Sequence, residues 1–316
     1  MNVLIVGGAG FIGANLARYC LEQPGVAVTV MDSLEPRLEA TDRWIPPGVT
    51  FLRDSLLDKK ATAAAVVGKD IIFNCAGQSS HSLSQKDPFY DLELNCTASL
   101  NLLDAVRDHA PAATLVYLST STQVGRAMGE VIDEYHPERP RDIYSANKGV
   151  SEKYHRIYHL AHGVKTVSVR LANLFGPYGK GSSQFGVLNY FIHLARAGKG
   201  ITLFEEARGH LRNVLYVEDA CAALWAAANT PAAQGDAFFA VHHDHRTLGN
   251  IVDAIVRGMG AGSVALIPEP PARRGMEVGD QRISSVRFNA LTGWKPRYDL
   301  ETGIAKTKII MDSVNA

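Results

Sequence analysis

A glycine-rich loop near the start of the chain limits the possible folds more than any other feature. Residues 7–13 are Gly-Gly-Ala-Gly-Phe-Ile-Gly, and they lie between an apolar run and a helical pattern. Glycines there allow a tight turn and a close backbone approach to a pyrophosphate, which the following helix N-terminus stabilises. Between a strand and a helix, this pattern is typical of a dinucleotide-binding βαβ unit. The residues expected to bind the cofactor here are Gly7, Gly10, Phe11, Ile12 and Gly13.

Short apolar runs alternate with longer helical patterns over the first half of the chain. The runs are rich in Val, Ile, Leu and Phe, as expected of strands that are buried on both faces. They cover residues 3–6, 26–31, 50–52, 71–75, 114–119 and 166–171. The helical patterns cover residues 12–22, 60–67, 91–108 and 145–162. This alternation predicts an α/β fold with a doubly wound parallel sheet, the Rossmann fold.

The second half is less regular, and we expect it to hold a second, smaller α/β domain. Strands are predicted at residues 213–217 and 237–241, helices at 187–197, 220–229 and 248–259, and two helical pieces within 289–310. Residues 175–183 and 268–275 are predicted loops. A length of 316 residues also favours two domains. We assign residues 1–172 to a cofactor domain that 213–246 rejoins, and residues 173–212 and 247–316 to a substrate domain.

The composition excludes several classes of partner. Lys plus Arg and Asp plus Glu number 32 each, so nothing in the charge favours a nucleic acid or a membrane surface. The four cysteines form no close pair, which indicates buried thiols in a reducing compartment. No charged leader precedes the first apolar run, and no run reaches the length of a membrane span. We therefore expect a cytoplasmic protein.

Two carboxylates after predicted strands are candidate cofactor contacts. Asp32 ends the second strand, roughly 20 residues past the glycine loop, where an acid can accept a hydrogen bond from a ribose 2′-hydroxyl. A carboxylate there would repel the additional phosphate of NADP, so the predicted cofactor is NAD. Asp54 follows the third strand and is a candidate adenine contact, although a solvated loop aspartate is a close alternative.

A tyrosine and a lysine with helical spacing are the candidate catalytic residues. Tyr144 and Lys148 are four residues apart, so they share one face of a helix. A free phenol titrates at about pH 10, and a neighbouring positive charge favours the phenolate that a general base needs. Lys148 is also a candidate contact of the nicotinamide ribose. Upstream, an apolar strand runs into a hydroxyl-rich loop, in which Thr120 or Ser121 could donate to the oxygen that changes charge.

Together these segments resemble a known family. The glycine loop, Asp32, the Ser-Thr-Ser-Thr loop at 119–122, Tyr144-Ser-Ala-Asn-Lys148 and the Arg170–Gly176 stretch are similar to the extended short-chain dehydrogenases/reductases. Within them, the chain resembles the NAD-dependent nucleotide-sugar epimerase/dehydratase group. The resemblance implies a catalytic hydroxyl at Thr120, a base at Tyr144 and its partner at Lys148. It further implies substrate contacts at Asn173 and at Arg212, whose guanidinium would bind the substrate's diphosphate.

The loop after Thr120 narrows the reaction that the resemblance implies. Dehydratases and decarboxylases of this group carry carboxylates there, whereas this chain has Ser121 and Thr122, which are also candidate substrate contacts. We therefore expect an epimerase that oxidises the sugar of a nucleotide-diphosphate sugar and returns the hydride, preferably at C4 and alternatively at C2. A dehydratase or decarboxylase, a net NAD(H)-dependent oxidoreductase and a non-enzymatic NAD-binding regulator remain alternatives. Relatives also suggest a homodimer built on the helices at 91–108 and 145–162.

Several histidines are candidate metal ligands, and one is a candidate substrate contact. His155, His159 and His162 share a helix face, and His242, His243 and His245 are close in sequence. Helical or turn spacing alone more often marks surface residues than a metal site, so we expect no metal. His81 lies past the fourth strand, near the expected substrate, and is a candidate contact for it.

Overall fold

The computed structural model describes residues 1–270 and 278–314 of the 316. Its first half alternates strands and helices along the chain. A π-helical turn, Glu93–Thr97, joins the helix that ends at Leu92 to the helix that begins at Ala98. The elements are β1 (Asn2–Val6), α1 (Phe11–Leu21), β2 (Ala27–Met31), β3 (Thr50–Leu52), α2 (Lys59–Val66), β4 (Ile71–Asn74), α3 (His81–Lys86), α4 (Pro88–Leu92), α5 (Ala98–His109), β5 (Thr114–Thr120), α6 (Ile143–His162) and β6 (Lys165–Leu171).

The second half adds further short strands and helices. The predicted helix at residues 248–259 has the bounds that the sequence pattern indicated. The elements are β7 (Asn173–Phe175), α7 (Val187–Arg196), β8 (Gly200–Phe204), β9 (Leu211–Tyr216), α8 (Val217–Ala228), β10 (Ala237–Ala240), β11 (His245–Thr247), α9 (Leu248–Met259), β12 (Ser263–Ile267), α10 (Val286–Thr292) and α11 (Leu300–Val314). Of the loop predicted at 268–275, residues 271–275 lie outside the described residues.

Seven parallel strands form the main sheet, in the order β10-β6-β5-β4-β1-β2-β3. From β1 the chain first winds towards β2 and β3, and it then returns to β4 and winds the other way. Ligands of such sheets bind where the winding direction changes, outside the carboxyl ends of the strands. The predicted doubly wound parallel sheet is thus confirmed, and the switch point lies between β1 and β4.

The alternation of side chains along the strands explains why both faces of the sheet are covered. Val3 and Ile5 of β1 belong to one buried apolar cluster, while Leu4 and Val6 belong to another. The first cluster contains residues of α1 and α8, and the second contains residues of α2 and α5. Each strand residue points opposite to its neighbours, so a strand between two helical layers is apolar throughout.

Beyond the main sheet, two small sheets complete the second half. β9 pairs with β7 in parallel and with β11 antiparallel, and β8 pairs with β12 in parallel. β10 joins the edge of the main sheet beside β6. The two-domain division at residues 172, 212 and 246 stays a prediction. Within residues 1–270 and 278–314, no helix combines the length and apolarity that crossing a membrane requires.

Candidate active site

The glycine loop has the close backbone packing that its sequence predicts. Gly7 has a φ of +76°, which favours glycine, and its amide donates to the Met31 carbonyl at 2.8 Å. A Cβ on Gly13 would lie 2.4 Å from the Gly7 carbonyl oxygen, so any side chain there would displace the turn. The loop therefore passes tightly from the end of β1 to the start of α1.

The N-terminus of α1 leaves backbone amides for a ligand. Gly10 is the N-cap residue, has no side chain to cap the helix, and accepts the first intrahelical hydrogen bond, from the Ala14 amide, at 2.9 Å. The amides of Phe11, Ile12 and Gly13 precede that bond and have no partner within the helix. Such a helix start suits a pyrophosphate.

The two carboxylates predicted to contact the cofactor differ in their surroundings. Asp32 accepts hydrogen bonds from the Ala9 amide at 2.9 Å and the Leu34 amide at 2.8 Å. It thus connects the end of β2 to the glycine loop. Burial raises the pKa of Asp32, while these two amides and the charge of Lys180 act to lower it. The sequence analysis did not identify Lys180 as a neighbour of this carboxylate. Asp54 is exposed in the loop after β3.

Tyr144 and Thr120 meet at the carboxyl ends of the central strands. Thr120 is the last residue of β5, and Tyr144 lies in the first turn of α6. Burial raises the pKa of the Tyr144 phenol to about 12, with Asp142 and Asp91 acting in the same direction and a hydrogen bond with Thr120 opposing them. The phenol is therefore protonated at neutral pH in the chain by itself.

Lys148 lies one helical turn behind Tyr144, but its ammonium group is directed at the sheet. It donates to the Leu118 carbonyl at 2.5 Å and lies 4.2 Å from the centre of the Tyr117 ring. Burial lowers the pKa of Lys148 to about 8, although nearby Cys75, Asp91, Cys96 and Glu152 favour its charged form. Lys148 thus contacts β5, and the four-residue spacing keeps it on the same face of α6 as Tyr144.

The hydroxyl loop connects β5 to the helix that carries Tyr144. Thr120 Oγ1 lies 3.0 Å from Thr122 Oγ1, and Ser145 donates to Thr122 Oγ1 at 2.8 Å. Ser121, the third predicted loop residue, is buried. Two predicted site residues, Thr120 and Thr122, thus contact each other, and Thr122 also contacts Ser145, the residue after Tyr144.

His81, a predicted substrate contact, packs against Tyr144. Its ring meets the Tyr144 ring edge-on, with 4.9 Å between the ring centroids. Its Nδ1 lies 2.7 Å from Asp142 Oδ2. Asp142 is also the N-cap of α6, where Oδ1 accepts a hydrogen bond from the Ser145 amide at 2.8 Å. Burial alone would raise the pKa of Asp142, but the hydrogen bonds and charge around it, His81 first, lower it below its usual value.

Asn173 and Arg212, the other predicted substrate contacts, lie on the small sheet of β7, β9 and β11. Asn173 follows β6 by two residues and donates to the Asn213 carbonyl at 3.0 Å. Leu171 of β6 is in register with Thr120 of β5. Asn173 therefore lies just beyond the carboxyl end of the sheet that Thr120 also marks. Arg212 is half-buried and donates to the Gly279 carbonyl at 2.6 Å. The two residues are thus on neighbouring strands.

Comparison with known proteins identifies the family. A sequence model described as the NAD dependent epimerase/dehydratase family matches residues 3–239. The chain belongs to this family. It is 29% identical to the low-salt glycan biosynthesis protein Agl12 of Haloferax volcanii, with 96% of each chain covered. It is 28% identical to a dTDP-glucose 4,6-dehydratase of Streptomyces griseus, with 97% of this chain and 92% of that protein covered.

Among solved structures, the fold is similar to that of the Thermus thermophilus UDP-glucose 4-epimerase in its complex with NAD. The TM-score is 0.86 at 29% identity, with 98% of each chain covered. Membership of the NAD dependent epimerase/dehydratase family confirms the resemblance found in the sequence and the expected cofactor, NAD. The relatives include both epimerases and dehydratases, so the family alone leaves the reaction type open.

Three linked polar residues of this family member were missed by the sequence analysis: Gln78, Asp91, whose charge acts on Tyr144, and Asn147. Asp91 is fully buried and accepts hydrogen bonds from Asn147 at 2.7 Å and from Gln78 at 2.6 Å. They were missed because their contacts join segments that are far apart in sequence. Asp142 had a usable signal, since an Asp directly before a helical pattern is a typical N-cap.

The three candidate histidines of α6 each have separate contacts. His155 is fully buried, stacks on Tyr117 with 4.3 Å between ring centroids, and its Nδ1 lies 2.8 Å from the Ser151 carbonyl oxygen. His159 pairs with the Val164 carbonyl, while His162 packs on Tyr158. Among the described residues, no group of three or more His, Cys, Asp or Glu side chains is arranged to hold a metal ion.

Proposed function

We propose that this family member is an NAD-dependent epimerase of a nucleotide-diphosphate sugar. It would act by transient oxidation of a sugar hydroxyl, preferably at C4 and alternatively at C2, followed by reduction from the other face. The observation that carries the proposal is the position of Tyr144. Its phenol is hydrogen-bonded to Thr120 at the carboxyl end of β5, across the sheet's switch point from the glycine loop.

The residues at the switch point fit a dinucleotide. A side chain at Gly7 or Gly13 would collide with neighbouring backbone atoms. The start of α1 presents backbone amides that could bind a pyrophosphate. Asp32 would bind the adenosine ribose, because a carboxylate that accepts two amide hydrogen bonds still has lone pairs available. NAD, when bound, supplies the chemistry of accepting a hydride and giving it back.

Tyr144 would hold and return the proton of the reacting hydroxyl. With its pKa raised to about 12, the phenol is protonated at neutral pH and so holds the proton that a ketone oxygen would receive on reduction. The reverse step requires the phenolate, which positive charge near the ring would favour. Thr120 would steady the same oxygen, and Lys148 would fix the end of β5 through Leu118 and face the nicotinamide ribose.

The proposed substrate half is built around Arg212 and Asn173. A guanidinium binds a diphosphate through paired N–H donors, which suits Arg212 for that group. Its hydrogen bond to the Gly279 carbonyl would orient the side chain. Asn173 would contact the sugar or its phosphate beyond the end of β6. Ser121 and Thr122 complete the proposed contacts on the side of Tyr144.

The hydroxyl loop favours epimerisation over elimination. Residues 121–124 are Ser-Thr-Gln-Val, so the loop after Thr120 holds no carboxylate that could remove a carbon-bound proton or donate one to a leaving hydroxyl. A dehydratase is the second candidate, because dTDP-glucose 4,6-dehydratases are among the relatives. A net oxidoreductase would consume its cofactor in every turnover, whereas an epimerase would not.

The proposal is tested by incubating the purified protein with UDP-, GDP-, CDP- and dTDP-sugars. Products are identified by NMR, while absorbance of the reduced nicotinamide is followed in parallel. We expect one sugar to be converted to its epimer without net accumulation of NADH. Reduction of a free ketone at the expense of NADH, with every nucleotide sugar unchanged, would contradict the proposal.

The expected assembly is a homodimer formed through α5 and α6. Val150, Ile157 and Leu160 of α6 are exposed apolar side chains, which such an interface would bury. Light scattering on the purified protein measures its oligomeric state. A monomer at all concentrations would exclude the proposed homodimer. The cytoplasmic location stays a prediction.

A further inference from the structure

The proposed epimerisation needs one proton-transfer group, Tyr144, but the same edge of the site contains a second one. His81 begins α3, which packs against α6. Its imidazole ring stands at 81° to the Tyr144 ring, with 4.9 Å between the ring centroids. A sugar oxygen bonded to the phenol would therefore place the adjoining sugar carbons beside the imidazole.

Asp142 holds the imidazole in one orientation. Its Oδ2 lies 2.7 Å from His81 Nδ1, and its Oδ1 accepts the Ser145 amide, so both carboxylate oxygens are fixed. The Asp142 side chain is only 12% exposed. A carboxylate bound to Nδ1 places the proton on that nitrogen and leaves the lone pair on Nε2.

The second ring nitrogen is open. The His81 side chain is 49% exposed, and within residues 1–270 and 278–314 no group forms a hydrogen bond with Nε2. A ring nitrogen with a free lone pair can accept a proton from a bound ligand. The Tyr144 phenol, in contrast, has a pKa raised to about 12 and carries its proton at neutral pH. The two neighbouring groups thus suit opposite roles, the phenol as acid and the imidazole as base.

We propose that His81, oriented by Asp142, is a second acid/base of this site and exchanges the proton on a carbon next to the keto group of a bound sugar. This inference rests on the proposed function in that the site must hold a keto sugar. It adds an activity that oxidation and return alone do not supply, namely enolisation. For a 4-keto sugar, the carbons concerned are C3 and C5.

The step is balanced within the site. His81 Nε2 takes the proton from the carbon, the electrons of that C–H bond form a carbon–carbon double bond, and the carbonyl electrons move to the oxygen. Tyr144 stabilises that oxygen by hydrogen bonding, and Asp142 pairs with the imidazolium. Return of a proton from Nε2 to the carbon restores the ketone. Because the imidazole is exposed, solvent exchanges the proton in between.

The experiment supplies the ketone directly, so that it does not depend on the oxidation step. The NAD-loaded protein is incubated in D₂O with the 4-keto-6-deoxy derivative of dTDP-glucose. Deuterium at C3 and C5 is measured by NMR and mass spectrometry against a buffer control. We expect exchange well above the buffer rate. Exchange at the buffer rate with the wild-type protein overturns the inference.

Matched variants separate a catalytic role from a structural one. His81→Gln should slow the exchange by on the order of 100-fold, because it removes the base. Asp142→Asn keeps an N-cap oxygen for α6 and removes the charge that orients the imidazole, so exchange should fall while the fold persists. His109→Gln alters an exposed histidine at the end of α5 and is the control. Unchanged exchange in folded His81→Gln protein refutes the assignment.

The two proposals fail separately in this design. Failure of epimerisation at both C4 and C2 in the sugar panel removes the proposed function, and the exchange of the supplied ketone is still measured. Conversely, C4 epimerisation without any deuterium at C3 or C5 of the supplied ketone leaves the epimerase proposal intact and removes the role of His81.

Discussion

At the scale of single residues, the proton chemistry depends on the surroundings of one phenol. Burial and the carboxylates of Asp142 and Asp91 raise the pKa of Tyr144, and only the hydrogen bond with Thr120 opposes them. Lys148, four residues from Tyr144 on α6, donates to the Leu118 carbonyl. The chain's own groups therefore favour the protonated phenol, the form that can give a proton to a ketone oxygen but cannot take one from an alcohol.

Replacement of Tyr144 by Phe tests this role without altering the cofactor cradle. We expect Tyr144→Phe to bind NAD normally and to lose turnover by on the order of 100-fold or more, because general acid/base catalysis is removed. NAD binding is measured by calorimetry and turnover by NMR on the active sugar. Tyr135→Phe, at an exposed tyrosine, is the control. Full activity in Tyr144→Phe would remove the phenol from the mechanism.

Asp32 and Asp54 offer a direct comparison of the two predicted cofactor carboxylates. Asp32 bonds to the Ala9 and Leu34 amides beside the glycine loop, whereas Asp54 is exposed. Asp32→Ala should raise the dissociation constant of NAD by about 10-fold or more, the effect of losing a charge-assisted hydrogen bond. Asp54→Ala should change it by much less. Calorimetric titration measures both, and an equal effect would contradict the distinction drawn between them.

At the scale of elements, α6 brings most of the proposed chemistry together. Its N-cap Asp142 holds His81, its first turn carries Tyr144, and Lys148 reaches the end of β5. Further along, His155 packs on the Tyr117 ring that Lys148 also covers. The helix is thus fixed to the sheet by polar contacts as well as by apolar packing.

The main strands and the motif residues were predictable, whereas short elements and long-range pairs were not. β1 and β4 are mainly apolar runs that are buried between two helical layers, which is a strong local signal. β7 and β11 have three residues each, too few for a periodic pattern. The pairing of His81 with Asp142 joins residues 61 positions apart, so the sequence analysis placed His81 near the site and missed Asp142.

Residues 91–108 show a similar limit within one helix. The pattern predicted a single helix there, and the structure has a π-helical turn, Glu93–Thr97, between α4 and α5. In this turn the Asn95 side chain donates to the Gln78 carbonyl at 3.0 Å, and the Asn95 carbonyl accepts from Ser151 of α6. Such turns occur frequently at functional sites, and tertiary contacts rather than local periodicity determine them.

His155 makes the stability of α6 dependent on pH. Burial lowers its pKa to about 4, and the charge of Lys148 acts in the same direction. In the unfolded chain the imidazole titrates at about 6.5. Between these values the unfolded state binds a proton that the folded state does not, so stability falls as the pH decreases from about 6.5 to 4, by up to about 3 kcal/mol.

The variant His155→Phe should flatten that dependence, because phenylalanine keeps a ring against Tyr117 and does not titrate. Urea unfolding at several pH values gives the free energy of unfolding for each protein. The control is His162→Gln, at an exposed histidine of the same helix, which should keep the wild-type slope. If His155→Phe loses stability with acid as steeply as the wild type, another group is responsible.

At the scale of the whole molecule, one apolar core crosses the predicted boundary between the domains. Val3 of β1, Val167 of β6, Ile251 of α9 and Met311 of α11 belong to the same buried cluster. α8 packs against α1, which the glycine loop opens, and also against β5 and β6. The cofactor side and the end of the chain are therefore joined by continuous packing.

The buried Asp219 of α8 extends this connection to the C-terminal segment. Its carboxylate accepts the Arg297 amide at 2.9 Å and the Tyr298 amide at 3.0 Å, and its carbonyl accepts the Trp294 indole N–H at 3.1 Å. Opening the C-terminal segment alone would leave a buried carboxylate without its donors, which is costly. The chain should therefore unfold as a unit.

We accordingly expect one cooperative transition in urea, which NAD shifts as a whole. At a concentration 100 times its dissociation constant, a ligand specific for the folded state adds about 2.7 kcal/mol. Circular dichroism reports the helices throughout, and in a Trp44→Phe variant the fluorescence reports Trp225 of α8 and Trp294 beside Asp219. The two signals should coincide, and both should move with NAD. A separate early fluorescence transition that NAD leaves in place would show that the C-terminal segment unfolds independently of the cofactor half, despite the shared core.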